Sequence, residues 1–90
     1  MSDRITRRQL DYMVERINTL TGSPLKPYID GKAQIGNYHL SGAYGGVCLH
    51  RMHNDSGGAT TPIISYHTTK RHMYELMKAY ADGFAEAKGE

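Results

Sequence analysis

Tryptophan is absent from the 90-residue chain, and phenylalanine and cysteine each occur once, so the bulkiest core anchors are few and an internal disulfide is excluded. Small secreted domains normally carry several bridges, and a lone Cys48 points instead to a reducing compartment. Long apolar runs are missing too; none approaches the roughly 18 residues of a membrane span. The polar opening Met1-Ser-Asp-Arg-Ile has no signal-like apolar segment, and the expectation is a soluble cytoplasmic protein without a membrane partner. Charge of one sign is equally scarce. Eleven Lys and Arg face nine Asp and Glu, a formal charge of +2, spread along the chain without a basic block or tail. That balance disfavours avid non-specific binding to nucleic acid.

What remains suits one folded unit. With 39% hydrophobic and 22% charged residues the composition is close to a globular average. A single domain over residues 1–90 is expected, with a radius of gyration of about 12 Å and a shallow surface site rather than a deep cavity.

Thr6-Arg7-Arg8-Gln9 has the spacing of a capping box, and Leu10, Met13, Val14, Ile17 and Leu20 follow at helical intervals. Gly22 and Pro24 end that helix near Thr21. Seven of the ten glycines then lie between Gly31 and Gly58, interleaved with Tyr, Val, Ile and Leu, a composition that suits short strands and turns. Asp30-Gly31 suits a tight hairpin. A second hairpin is expected from about Lys32–Ser41 and Gly46–His53, joined by residues 42–45, with residues 54–58 forming a loop. Thr61–Tyr66 is a further strand candidate, limited by Pro62 to an edge or a strand start. A second helix begins at Thr68 or Thr69 and carries Met73, Leu76, Met77, Tyr80 and Phe84 as its apolar stripe. The fold expected is α+β: helix, antiparallel three- to four-stranded meander, helix, with both helices on one sheet face and the other face open.

The run Gly36-Asn37-Tyr38-His39-Leu40-Ser41-Gly42-Ala43-Tyr44-Gly45-Gly46-Val47-Cys48-Leu49-His50-Arg51-Met52 resembles the core of a family of small, uncharacterised proteins encoded by bacteriophages and prophages. The resemblance extends to residues 18–25, to Gly57-Gly58 and to Thr69-Lys70-Arg71. It departs at residue 72, where the family pattern has a glutamate and this chain has His72. The resemblance implies a phage or prophage origin and a shared fold, and it brings no assigned activity and no catalytic residue.

Catalytic and metal motifs are weak. His39, Cys48 and His50 fall on one face by strand alternation, but the paired CxxC spacing of structural zinc sites is missing, and no metal or cofactor is expected. Ser41, Ser56, Ser65 and Cys48 lack a nucleophile motif, and residues 42–46 match neither a P-loop nor a dinucleotide fingerprint. Tyrosine is more informative, with seven copies. Tyr12 and Tyr74 lie off the helical stripes, while Tyr66 and Tyr80 are the core candidates among the seven. Tyr38, His39, Tyr44, Gly45, Gly46, His50, Arg51 and His53 form the candidate recognition surface, because Tyr offers apolar area with a polar tip at little entropic cost. The competing reading places half of the tyrosines in the core.

The function expected is therefore binding without catalysis. The protein would be a phage-encoded accessory protein that blocks or sequesters a host component, either a protein or a nucleotide-like small molecule, and that pairs with itself as a homodimer. The alternative is an RNA- or DNA-binding regulator using Arg7, Arg8, Lys70 and Arg71, since helix, three-stranded meander, helix is also the order of double-stranded RNA-binding domains. The Gly-Pro-x-His loop of those domains is missing here.

Overall fold

A computed structural model describes residues 4–43 and 45–89. The order is α1 (Arg7–Thr21), β1 (Tyr28–Ile29), β2 (Lys32–Ala33), β3 (Tyr38–Ala43), β4 (Gly46–Met52), β5 (Ala59–Thr60) and α2 (Lys70–Ala87). This is an α+β fold with helices at both ends and antiparallel strands between them.

The helix signals act where the sequence places them. The Thr6 hydroxyl accepts from the Gln9 N–H at 3.2 Å while the Thr6 N–H donates to Gln9 Oε1 at 2.8 Å, so two orphan donors of the first turn are satisfied reciprocally. Gly22 ends α1. Thr69 caps α2 by accepting the His72 N–H at 3.1 Å, a bond that works without the glutamate of a full box.

The strands fall into two sheets, one of β1–β2 and one in the order β3-β4-β5. Asp30 and Gly31 take φ of 52° and 79°, the left-handed pair that a two-residue hairpin requires, so the first hairpin forms as a sheet of its own. The expected strand over Lys32–Ser41 is broken: residues 34–37 form a turn between β2 and β3. The main hairpin has a shorter turn than expected, because pairing runs on to Ala43↔Gly46. The strand expected at Thr61–Tyr66 is not one. Its place is taken by Ala59–Thr60 just before it, and residues 61–67 cross to a single bridge between Val47 and Thr68.

Both helices pack on the β3–β4 face that carries Tyr38, Leu40, Val47 and Leu49. The buried core joins Leu10, Met13 and Ile17 of α1 to Met73, Met77 and Ala81 of α2 and to Tyr38, Val47 and Leu49 of the sheet. The helices run parallel. Lys88 Nζ donates to the Leu20 carbonyl at 2.8 Å, so the two C-terminal ends meet, and Arg16 pairs with Asp82 at 3.0 Å farther along. Their N-terminal ends meet too, around a groove lined by Arg4, Ile5, Gly45, Thr69, Lys70 and Arg71.

The opposite sheet face is less open than the sequence implies. Cys48 and Met52 on that face are buried. The Cys48 thiol points to the Ile64 carbonyl at 3.4 Å, and His67 Nε2 lies 3.2 Å from Ser41 Oγ, so part of the 59–68 segment roofs the sheet. Of the tyrosines expected in the core, Tyr80 packs against it but Tyr66 is 58% exposed, because the segment before α2 stays on the surface instead of entering the sheet. Among the described residues no helix is long and apolar enough to cross a membrane.

Candidate functional site

Strand alternation divides the expected recognition surface. Tyr38 and Arg51 are cross-strand partners on the helix side, whereas His39 and His50, also partners, lie on the other side. Tyr38 is 2% exposed and belongs to the core. Its hydroxyl shares a 2.8 Å hydrogen bond with the Tyr80 hydroxyl, and the Arg51 guanidinium lies 5.1 Å from the centre of its ring. Burial and the Tyr80 hydroxyl push the Tyr38 phenol up to about 12. The tyrosine expected to dock a partner is thus a core residue that Arg51, itself exposed, seals from outside.

On the far face three imidazoles form a row. The His39 and His50 rings are 5.7 Å apart and the His50 and His67 rings 6.3 Å apart, each edge to face. Burial, reinforced by the neighbouring His50, holds His39 below the usual imidazole range; burial and His67 do the same for His50. Burial also pushes the Cys48 thiol up, which suits an inert buried thiol. Among the described residues no group of His, Cys, Asp and Glu has the geometry to hold a metal ion.

The other expected contact residues are scattered. His53 is exposed beyond the end of β4, beside a groove of about 270 Å³ shared with Ile35, Gly36, Arg51, Met52 and Thr60. Gly45 sits at the turn, and Gly46 is pressed against Thr68, where a Cβ would meet the Thr68 carbonyl oxygen at 2.7 Å. Tyr44 lies outside the described residues. Tyr38, His39, Gly45, Gly46, His50, Arg51 and His53 therefore do not share one surface.

The residues of the nucleic-acid alternative are brought together. Because α1 and α2 are parallel, Arg7 and Arg8 at the start of one and Lys70 and Arg71 at the start of the other sit at the same end of the molecule. The groove there, of about 570 Å³, is lined by Lys70 and Arg71 but not by Arg7 or Arg8, and it adds Arg4, which sequence reasoning missed, together with Gly45. Two local acids temper the charge: Arg7 pairs with Asp11 at 2.9 Å and Arg71 with Glu75 at 3.6 Å. Both carboxylates lie one turn into their helices, and neither helix carries an acid in its first turn. Positive side chains and the positive ends of two helix dipoles therefore coincide, an arrangement that favours phosphate groups.

Sequence reasoning also missed Asn18, His67 and Lys88. Asn18 was visible as a polar residue on the inner side of a helical stripe, one turn after Val14. The roles of His67 and Lys88 depend on tertiary approach and leave no local pattern. Comparison with protein-family models, with curated proteins and with solved structures finds no match for the chain.

Proposed function

We propose that the protein is a non-enzymatic binding protein that holds the phosphate backbone of a nucleic acid at the shared N-terminal end of α1 and α2. The observation that supports this reading is the parallel packing of the two helices, which places Arg4, Lys70 and Arg71 around one groove of about 570 Å³ and sets Arg7 and Arg8 at the same end of the molecule. Arg and Lys contacts to phosphate supply affinity without base sequence, and oriented backbone N–H groups of the helix starts add to it. With the resemblance of its glycine-rich core to phage and prophage proteins, the protein acts in the cytoplasm of a bacterial host, and it blocks its partner by occupying it rather than by altering it.

The test is fluorescence anisotropy with labelled duplex RNA and duplex DNA over a range of salt concentrations. Binding is expected to weaken steeply as salt rises, with a slope near −0.9 per neutralised phosphate on a log–log scale. Lys70→Glu together with Arg71→Glu lowers affinity for every sequence tested and flattens that slope. Absence of binding at low salt, or binding indifferent to salt and to these substitutions, would overturn the proposal.

A further inference from the structure

We infer that β3 is a homodimerisation edge, in which two copies of the chain join antiparallel through Leu40 and Gly42 into one continuous sheet. It is argued from the strand ladder and not from the phosphate-binding reading.

The ladder fixes which backbone groups are free. In β3·β4 the even residues of β3 point their N–H and C=O away from β4, as Tyr38 shows: its N–H donates to Asn18 Oδ1 at 2.8 Å, and its carbonyl accepts from Asn18 Nδ2 at 3.0 Å. The odd residues of β4 likewise point away from β3, where Val47 exchanges backbone bonds with Thr68 at 2.8 and 2.9 Å. The outward positions of β3 are therefore 38, 40 and 42, and Asn18 consumes the first. Among the described residues nothing pairs with the N–H and C=O groups of Leu40 and Gly42, because β3 is the last strand of its sheet.

Natural edges are protected by charge, by proline or by a bulge. Between Tyr38 and Ala43 there is neither a Lys, Arg, Asp or Glu nor a proline, and the pairing is uninterrupted over six residues. Such an edge is a template for another strand, and its own sequence matches it. With two free residues two positions apart, a two-fold axis through Ser41 sets Leu40 opposite Gly42 of the second copy. Each such pair exchanges two N–H···O bonds, so all four free groups on each copy are used. Moving the axis to any other residue leaves one free pair facing either the Tyr38 position that Asn18 occupies or the turn.

The side chains agree. Leu40 is half-buried, and a Cβ placed on Gly42 would meet only the Gly46 carbonyl oxygen at 3.9 Å, so the glycine leaves room for Leu40 of the second copy. A groove of about 410 Å³ borders Leu40, with Val14, Leu25, Pro27 and Tyr28 on its apolar side and Arg7, Asp11 and Glu15 on its charged side. Leu25 is 63% and Tyr28 54% exposed in the single chain.

Light scattering on eluting protein should give twice the chain mass at millimolar concentration. Hydrogen exchange should show the Leu40 and Gly42 amides becoming protected as concentration rises, while the Tyr38 amide is protected throughout. Gly42→Pro removes one edge donor without touching the β4 ladder, and Gly42→Lys sets two like charges near the axis; either should give a monomer with unchanged circular dichroism. Register is read by cross-linking. Ser41→Cys in a Cys48→Ala background places two thiols across a non-hydrogen-bonded pair, about 4.5 Å between Cα atoms, and should oxidise to a covalent dimer. Ala43→Cys in the same background should not. A monomer at millimolar concentration with unprotected Leu40 and Gly42 amides overturns the inference. So does a dimer that survives both Gly42 substitutions, or one that cross-links through position 43 and not 41.

Discussion

Asn18 does with a side chain what a neighbouring strand does with its backbone. It is 1% exposed and satisfies both polar groups of Tyr38, which would otherwise be buried without partners at the core end of β3. Asn18→Ala should therefore cost more than its volume suggests, roughly 1–3 kcal/mol for each orphaned group. Asn18→Asp keeps the acceptor but turns a carboxylate oxygen toward the Tyr38 carbonyl in a buried site, and at neutral pH should cost at least as much as Asn18→Ala in urea denaturation. Tyr38 gives a second check at this scale. Its folded pKa of about 12 lies above the unfolded 10, so the stability linked to it is present below pH 10 and is lost as pH rises through about 12. In an ultraviolet titration Tyr38→Phe should remove a late-ionising component, and its persistence would contradict the Tyr38–Tyr80 assignment. The inward position of Tyr38 is not written in its local sequence. Its composition suits a surface, and only the parity of β3 and the position of α2 decide that it faces inward.

Elements bounded by local chemistry were legible, and those bounded by tertiary contact were not. The capping box at Thr6, the stop at Gly22 and the apolar stripes act within one or two turns, so both helices appear where their residues predict them. Asp30-Gly31 likewise makes its own turn. Ile63 and Ile64 look like a strand, but they pack against the core as partly buried residues of a crossing segment, because Val47 is already bridged by Thr68. Gly46 marks that approach. Gly46→Ala drives a methyl to 2.7 Å from a backbone oxygen and should destabilise the protein by about 1–3 kcal/mol, the usual cost of overpacking. Gly83→Ala in α2 meets nothing within 4 Å and should instead stabilise by roughly 0.5–1 kcal/mol. The histidine row joins β3, β4 and the segment before α2, and it makes the sheet sensitive to acid. His39 and His50 are held below their ordinary 6.5 mainly by burial, so in the window below pH 6.5 the unfolded chain binds more protons than the folded one. Stability is fully present above pH 6.5 and declines as pH falls through the folded values. His39→Gln with His50→Gln should flatten that decline in thermal melts across the same range.

At the scale of the whole molecule, salt separates what holds the fold from what the proposed site would hold. The extents of 42 × 37 × 21 Å and the radius of gyration of 13.1 Å describe a slab, one layer of sheet under one layer of parallel helices, whose cohesion comes from the shared apolar core. The ion pairs decorate that slab without bracing it. Arg7–Asp11, Arg16–Asp82, Arg71–Glu75 and Lys78–Asp82 all have side chains wholly or partly open to solvent, where an ion pair contributes little to stability and salt screens it. The near-neutral sequence gives no sign of this basic end, because charge counted along the chain does not show that parallel helices gather cations more than sixty residues apart. Folding stability measured by denaturant titration should therefore stay nearly flat from about 50 to 500 mM salt, while affinity for duplex nucleic acid falls with a log–log slope no steeper than about −4.5 for five cations. A folding free energy that fell in step with binding would mean that salt acts on the structure and not on phosphate contacts, and would remove the basic end as the cause.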